Sequence, residues 1–502
     1  MATPSVHETV SETVPAVVDP VADWAASGVV PLTGTAGGPP LVPPGHAATV
    51  ARRLGERIAA VTAGSGSPVR VDGAALLSER AAFTGHRRRG SVSAGGSCRL
   101  LPTADGWAAV TCARPGDPAL LGALVGRALP DDPWPYVADW VRRHTGQELT
   151  ERAELLGVAA APVRRYAASP PVPLAGRPVE GLLVVDFSAL WAGPLCASLL
   201  GMAGARVVKV ETPQRPDGTR RGNADFYRLL HAGHRSVVLD PATPAGRAAM
   251  AALVDAADIV IEASRPRALA GFGLDAAAAV AAGTTWVSIT AGGRGCGRVG
   301  FGDDVAAGAG LVAWTDTGVP LFTGDAIADP LTGLTAAALA MSAPSDGSGQ
   351  LWDVSMSDVV AATLPQGPAV PAPAARVWAA GWVLDTPGGP RAVACPRRRQ
   401  APPGRGGGTG RPHPAGPART RDHRAVTAGA LRGSRGVISF DTLRTILFDG
   451  FTYITRWPTL RSPWTPAGTA RGTRRHNEVV RCQQRWSSVR CAPRSGRPAR
   501  GR

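Results

Sequence analysis

Asp329 is the residue whose type and setting most invite chemistry. It precedes Pro330 and opens the apolar stretch TGLTAAALAM. It therefore reads first as a helix N-cap, its carboxylate accepting backbone N–H bonds. The same carboxylate could act as a nucleophile if one oxygen stayed free, at a cleft and beside donors that steady developing negative charge. Familiar motifs for phosphates, nucleophiles and metals are missing: there is no GxxxxGKS/T, no GxGxxG after a strand, no GxSxG and no HExxH. The simplest NAD, ATP and serine-hydrolase readings therefore lose support. Seven cysteines lie scattered without a CxxC pair or a His at zinc spacing, which argues against a disulfide framework and a structural metal.

The elements that would position such a carboxylate form a regular alternation from residue 181 onward. GLLVVDFS (181–188), RVVKVE (206–211), RSVVLD (235–240), DIVIEAS (258–264) and WVSITAGG (286–293) read as strands. AGPLCASLLGMAGA (192–205) and TPAGRAAMAALVDAA (243–257) read as the helices between them. Continuous apolar strands alternating with helices predict a parallel sheet wrapped on both faces, a Rossmann-like α/β fold with its ligand at the strand ends. Those ends are Ser188–Trp191, Glu211–Thr212, Ala263–Arg265 and the glycines near 292. Lys209, the single lysine of the chain, reads as a strand lysine with an exposed head.

Ahead of this sheet, residues 64–168 alternate short strand and helix signals, with helix starts at Asp117-Pro118 and Asp132-Pro133. They predict a small α/β domain, joined to the large one by the linker SPPVPLAGRP (169–178). Residues 1–20 read as a solvated tail without the basic start and apolar run of a signal peptide. The uncharged stretch 276–293 contains GTT and suits a bilayer poorly. A cytoplasmic protein without membrane contact is the expectation.

The formal net charge of +16 suggests a nucleic-acid binder until its distribution is considered. Residues 396–502 hold 23 Arg and four acids, leaving 31 basic and 34 acidic residues in the first 395. The body is thus almost neutral, which argues against a nucleic-acid partner for it. The Arg/Pro/Gly-rich tail 396–502 has no hydrophobic period apart from an island at 437–454, and is expected to be disordered. Its abrupt onset near 395–410, with an unchanged GC-type bias, is the mark of a shifted reading frame.

Residues 27–61 also resemble 309–341 in order and type, His46 falling opposite Asp329.

GLLVVDFSALWAGPLCASLLGMAGARVVKVE, the stretch from HAGHRSVVLD to ALAGFGLD, VSITAGG, IADPLTGLTAAALA and GSGQLWDVSMSD together resemble the class III CoA-transferase (CaiB/BaiF) family, related to alpha-methylacyl-CoA racemase, over about 178–360. Residues 97–165 resemble the family's small domain, which ordinarily follows the large one and here precedes it. The resemblance implies a large CoA domain at 178–365, a closing segment at 366–395, and a remnant of a degenerate first large domain at 21–63. It implies that Asp329 is a nucleophile, that CoA passes from an acyl-CoA to a carboxylic acid through an aspartyl-CoA thioester, and that no metal takes part. It places coenzyme A, as co-substrate, along Leu190, Trp191, Ala192, Thr212, His234, Arg235, Ala263, Ser264 and Arg265. A homodimer is implied as well.

Two departures bear on these expectations. Gly271 stands where the family commonly carries an Arg for CoA phosphate, so Arg265 or Arg267 would have to compensate. The racemases' G-H-D reads Gly302-Asp303-Asp304 here, which lowers an acyl-CoA racemase or isomerase below transfer, because a two-base proton exchange needs an acid and a base of separated pKa. A non-catalytic CoA-binding relic or partner subunit is the remaining alternative.

Overall fold

The computed structural model describes residues 19–400 apart from 265, 369 and 380. Six strands, β1 (Leu183–Asp186), β2 (Arg206–Glu211), β3 (Arg235–Val238), β4 (Ile259–Glu262), β5 (Thr285–Thr290) and β6 (Gln350–Ser355), make the main sheet. All pairings are parallel, in the spatial order β6-β5-β4-β1-β2-β3. Winding reverses between β1 and β4, and the crevice at their carboxyl ends is where doubly wound sheets hold ligands. Every residue of β1 and β4 is buried, as their unbroken apolar runs require when helices cover both faces. The strand nature of β6 was not legible in QLWDVS. It is an edge strand paired only with β5, and Asp353 points out of it to solvent.

Four helices matter for the site: α1 (Ala47–Thr62), α2 (Ala192–Met202), α3 (Gly302–Gly308) and α4 (Ala328–Ala340). Every residue of α4 except Asp329 is buried, the mark of a helix enclosed by the core. Its Gly333 lets α2 approach: a Cβ there would stand 2.7 Å from the Ala192 carbonyl oxygen and 3.0 Å from Leu195 Cβ.

Residues 19–84 share the core of the sheet domain. Trp24, Ile58 and Leu76 pack in one cluster with Leu195 and Leu331. The segment 21–63 thus has no core of its own, and 64–84, grouped by sequence with the small domain, lies in the large core too. The small unit has its own centre. Strands Cys98–Pro102, Trp107–Thr111 and Ala160–Pro162 pair antiparallel, and Leu101, Val110, Leu124, Val137, Trp140 and Leu149 pack beneath them.

The first residues of the expected tail are held in place. Ala394 N–H donates to the Ala25 carbonyl at 2.7 Å, Arg397 pairs with Asp72, and Arg398 lies 4.3 Å over the Phe83 ring. Arg399 meets Glu79 at 3.0 Å. Glu79 is fully buried, so burial raises its pKa and a cation beside it is needed to offset that cost. The ordered body therefore extends past 396. The rest of the Arg-rich tail, including the island at 437–454 and the proposed frame shift beyond residue 400, lies outside the described residues, as does the N-terminal tail up to residue 18. Among the described residues no helix is long and apolar enough to cross a membrane.

Filling the α2–α4 contact should be costly. Gly333→Val forces a side chain against backbone, and overpacking of this kind costs roughly 1–3 kcal/mol. A fall in Tm of several degrees is expected in a thermal melt; an unchanged Tm would show that the two helices can separate freely.

Candidate active site

Asp329 occupies the second position of α4, one residue inside the helix. The N-cap position is Ile327, and no side chain caps this end. The capping expectation for Asp329 is thereby corrected: a capping residue must be non-helical and precede the first turn, whereas Asp329 is already helical. The chain enters α4 through a tight turn in which Ala326 has φ 49, a left-handed conformation unfavourable for a residue with a Cβ. Asp303 of α3 fastens this turn by accepting the Ala326 N–H at 2.8 Å. The Asp329 carboxylate receives no hydrogen bond from the described residues. It lies against α3, where a Cβ on Gly302 would come within 2.5 Å of Oδ2.

Three further carboxylates surround it. Asp304 and Asp325 are fully buried and Asp303 nearly so. Their main counter-charge is Arg80, which grips Asp325 with two bonds, Nε to Oδ2 at 2.9 Å and Nη2 to Oδ1 at 2.5 Å. His86 Nδ1 lies 3.1 Å from the same Oδ1. Burial would raise Asp325, yet Arg80 holds it well below the usual carboxylate range. Arg80, with Arg298 acting on Asp304, does not neutralise four acids. Burial lifts Asp304 to about 6, with Arg298 opposing. Asp329 rises to about 7, through burial first, with Arg80 opposing and the neighbouring acids adding to the shift.

Arg80 also connects the cluster to the strand ends, since its guanidinium lies 5.2 Å from the centre of the Trp191 ring. Trp191 is buried and packs edge-on against Phe226 with centroids 5.4 Å apart. Before it, Leu190 is exposed and adopts φ 71. This conformation is held by Asp217, whose Oδ1 accepts the Leu190 N–H at 3.1 Å.

Asp217 and Asp186 in turn face Lys209 Nζ at 3.4 and 3.5 Å, and the ammonium donates to the Ser188 carbonyl. Lys209 is 1% exposed, which overturns the expectation of a solvated head. Its motif position marked a strand but gave no sign that two acids would meet it inside. Burial alone would raise Asp217, but His231 and Lys209 keep it far below the ordinary range.

The expected CoA positions fall into three settings. Leu190, Ala263 and Ser264 sit at the carboxyl ends of β1 and β4. Ala263 is exposed, whereas Ser264 Oγ is buried without a partner among the described residues. Trp191, Ala192 and His234 are buried or half-buried beneath that edge; a Cβ on Gly201 of α2 would be 3.1 Å from His234 Nε2, and burial lowers His234 to about 4. Thr212 closes a turn after β2, its hydroxyl accepting the Arg215 N–H at 3.2 Å, and Arg235 is exposed on edge strand β3. Arg265 lies outside the described residues.

Arg80, Asp217 and Asp325 were missed by sequence reasoning. Asp325, four residues before Asp329, was the one signal available. Arg80 stands 245 positions from its partner.

Residues 179–376 match the family model described as CoA-transferase family III. Succinate–glutarate CoA-transferase of Agrobacterium fabrum is 32% identical over 215 residues, 37% of this chain and 53% of that protein. Succinyl-CoA–D-citramalate CoA-transferase of Chloroflexus aurantiacus is 29% identical over 206 residues, 38% of this chain and 51% of that one. Formyl-CoA:oxalate CoA-transferase of Afipia carboxidovorans is 32% identical over 203 residues, 36% and 47% respectively. The chain thus spans about half the length of these relatives. A CaiB/BaiF family protein of Brucella suis, of known structure, is 30% identical over 37% of this chain and 55% of that chain, with a TM-score of 0.34.

The raised pKa of Asp329 has a stability consequence. The folded state keeps its proton to about pH 7, whereas the unfolded chain releases it near 4. The wild type therefore loses stability as pH rises through that window. Asp329→Asn should raise Tm relative to wild type at pH 8 and much less at pH 4.5. An equal difference at both pH values would mean that Asp329 titrates normally.

Proposed function

We propose that this chain, whose residues 179–376 belong to CoA-transferase family III, transfers CoA from an acyl-CoA to a carboxylic acid, with Asp329 as nucleophile. The observation that carries this reading is the state of Asp329: the one residue of α4 that is half-buried rather than buried, free of hydrogen bonds from the described residues and raised to about 7. A carboxylate of raised pKa is a better nucleophile once ionised. The names of the three relatives contain succinate, glutarate, citramalate and oxalate, all dicarboxylates, which favours a short carboxylic acid as acceptor.

In the forward half-reaction the ionised Asp329 attacks the thioester carbonyl of the donor. The C–S bond breaks, CoA leaves as thiolate and a mixed anhydride remains on Asp329. The thiolate then attacks the Asp329 carbonyl, releasing the donor acid as its carboxylate and leaving an aspartyl-CoA thioester. The acceptor carboxylate repeats the sequence in reverse and restores Asp329. Two moderate barriers replace one difficult exchange, and no proton need be gained or lost overall.

The crevice between the ends of β1 and β4 suits the CoA portion, because Leu190 and Ala263 lie open there and Ser264 offers an unspent buried hydroxyl. Thr212 and Arg235 would extend that contact, while Trp191, Ala192 and His234 support it from beneath. Arg267, exposed beside this crevice, is the described guanidinium available in place of the Arg lost at Gly271. A cytoplasmic homodimer belongs to the same proposal.

Intact-protein mass after incubation with a panel of acyl-CoAs, with hydroxylamine to trap an activated carboxylate, tests the chemistry. Wild type should gain a hydroxamate or CoA adduct that Asp329→Ala lacks. Adduct formation should rise with pH through about 7 as Asp329 ionises. A folded protein that gains no adduct would turn the reading to a non-catalytic CoA-binding relic, and α-deuterium wash-in without CoA exchange would turn it to a racemase.

Gly302→Ala offers a second check. Its Cβ would collide with Asp329 Oδ2 and the Ala326 carbonyl, each at 2.5 Å, so adduct formation should fall by about 100-fold, a displacement of the reacting atom being enough. Retained adduct formation would separate Asp329 from the chemistry.

A further inference from the structure

Between the small antiparallel unit and the parallel-sheet domain lies a cavity of about 130 Å3. Thr150, Arg164, Tyr166, Arg298, Ser357 and Asp358 are among the residues that line it. Its size is comparable with the roughly 150 Å3 space that admits a six-carbon ring in an engineered cavity, but this wall is polar and carries two guanidinium groups.

The hydrogen bonding of that wall leaves a guanidinium N–H unspent, although the Arg298 charge also acts on the buried Asp304. Ser357 Oγ donates to the Ala291 carbonyl at 2.6 Å and accepts from Arg298 Nη2 at 3.0 Å. The single carboxylate of the wall, Asp358, accepts the Tyr166 hydroxyl at 3.1 Å. Burial, with Asp358 nearby, lifts Tyr166 to about 12, so the phenol keeps this proton at neutral pH. Arg298 Nε is buried with no hydrogen-bond partner among the described residues, and neither Arg298 nor Arg164 has a carboxylate within ion-pair distance there. By contrast Arg80, Arg220 and Arg294 each grip a buried carboxylate. An unspent, buried guanidinium N–H is costly, and the planar fork of arginine matches the geometry of a carboxylate or a phosphate.

The cavity also has a defined relation to Asp329. Gly302, at the start of α3, abuts the Asp329 carboxylate, and Gly308, at its end, lines the cavity. Six residues of helix separate these two glycines, about 9 Å along its axis. Glycine at 308 is also what lets the two units close on each other here, since a Cβ would sit 2.5 Å from Ala161 Cβ.

We propose that this cavity is a carboxylate subsite, in which Arg298 seats the distal carboxylate of a short dicarboxylic acid while Arg164 adds charge at the mouth. The inference rests on the transfer reading above, because it assigns the far end of a substrate whose reacting carboxyl faces Asp329.

Calorimetric titration of the full chain without CoA separates the two. Glutarate should bind wild type, and bind Asp329→Ala at least as tightly, because that change removes an acid beside the reacting carboxyl. It should bind Arg298→Gln at least about tenfold more weakly, as expected for losing a charged hydrogen-bond donor. Butyrate and inorganic phosphate should each bind wild type at least about tenfold more weakly than glutarate. Arg164→Gln alters an exposed side chain and should weaken glutarate about threefold, so the proposal stays testable if Arg298→Gln fails to fold. Failure of glutarate to bind wild type, equal binding by Arg298→Gln or, failing that variant, by Arg164→Gln, or equal binding of butyrate or phosphate would each overturn the subsite. Intact glutarate binding in a protein that forms no adduct would instead overturn the transfer reading alone.

Discussion

The bidentate grip of Arg80 on Asp325 is the interaction on which the candidate site depends. It joins a residue near the start of the described chain to the turn that delivers Asp329, and it does so where four carboxylates converge in a largely dry interior. Removing this cation would leave the acids opposed only by His86 at Asp325 and Arg298 at Asp304, and breaking a buried pair costs far more than forming it gains. The same guanidinium lies over Trp191, so the acid cluster and the strand-end loop are fixed by one side chain. Residues 19–84 therefore belong to the site as well as to the core.

Charge balance in this cluster is deliberately incomplete. Asp325 is satisfied, Asp303 is spent on the strained turn at Ala326, and Asp329 is left without donors of its own. A group in that position is poorly solvated and poorly paired, and its proton is held to near neutrality. Such an arrangement works against folding stability while it prepares a reactive carboxylate, a conflict common at sites built for chemistry.

A second constraint acts at the sheet's reversal point. Lys209 sits between Asp186 and Asp217 inside the protein, and Asp217 holds Leu190 in a conformation that a leucine adopts only under restraint. The buried ion pair thus sets the shape of the loop at the carboxyl end of β1. A buried pair of this kind often contributes no more stability than well-packed apolar residues would; its structural consequence is the geometry of the crevice edge.

The parallel sheet was legible in the sequence because strands buried on both faces must be continuously apolar, as LVVD and IVIE are. Asp329 was legible too, as an acid at the head of an apolar helix, though its detailed role came from resemblance. The edge strand QLWDVS was not, because a strand with one open flank need not advertise itself. The capping geometry of α4, the burial of Lys209 and the partnership of Arg80 with Asp325 were decided by tertiary structure alone. In each case the deciding contact is made between segments far apart in the chain or depends on where a helix begins to within one residue. Local pattern records which faces must be hidden from water; it does not record which distant charge will be waiting there.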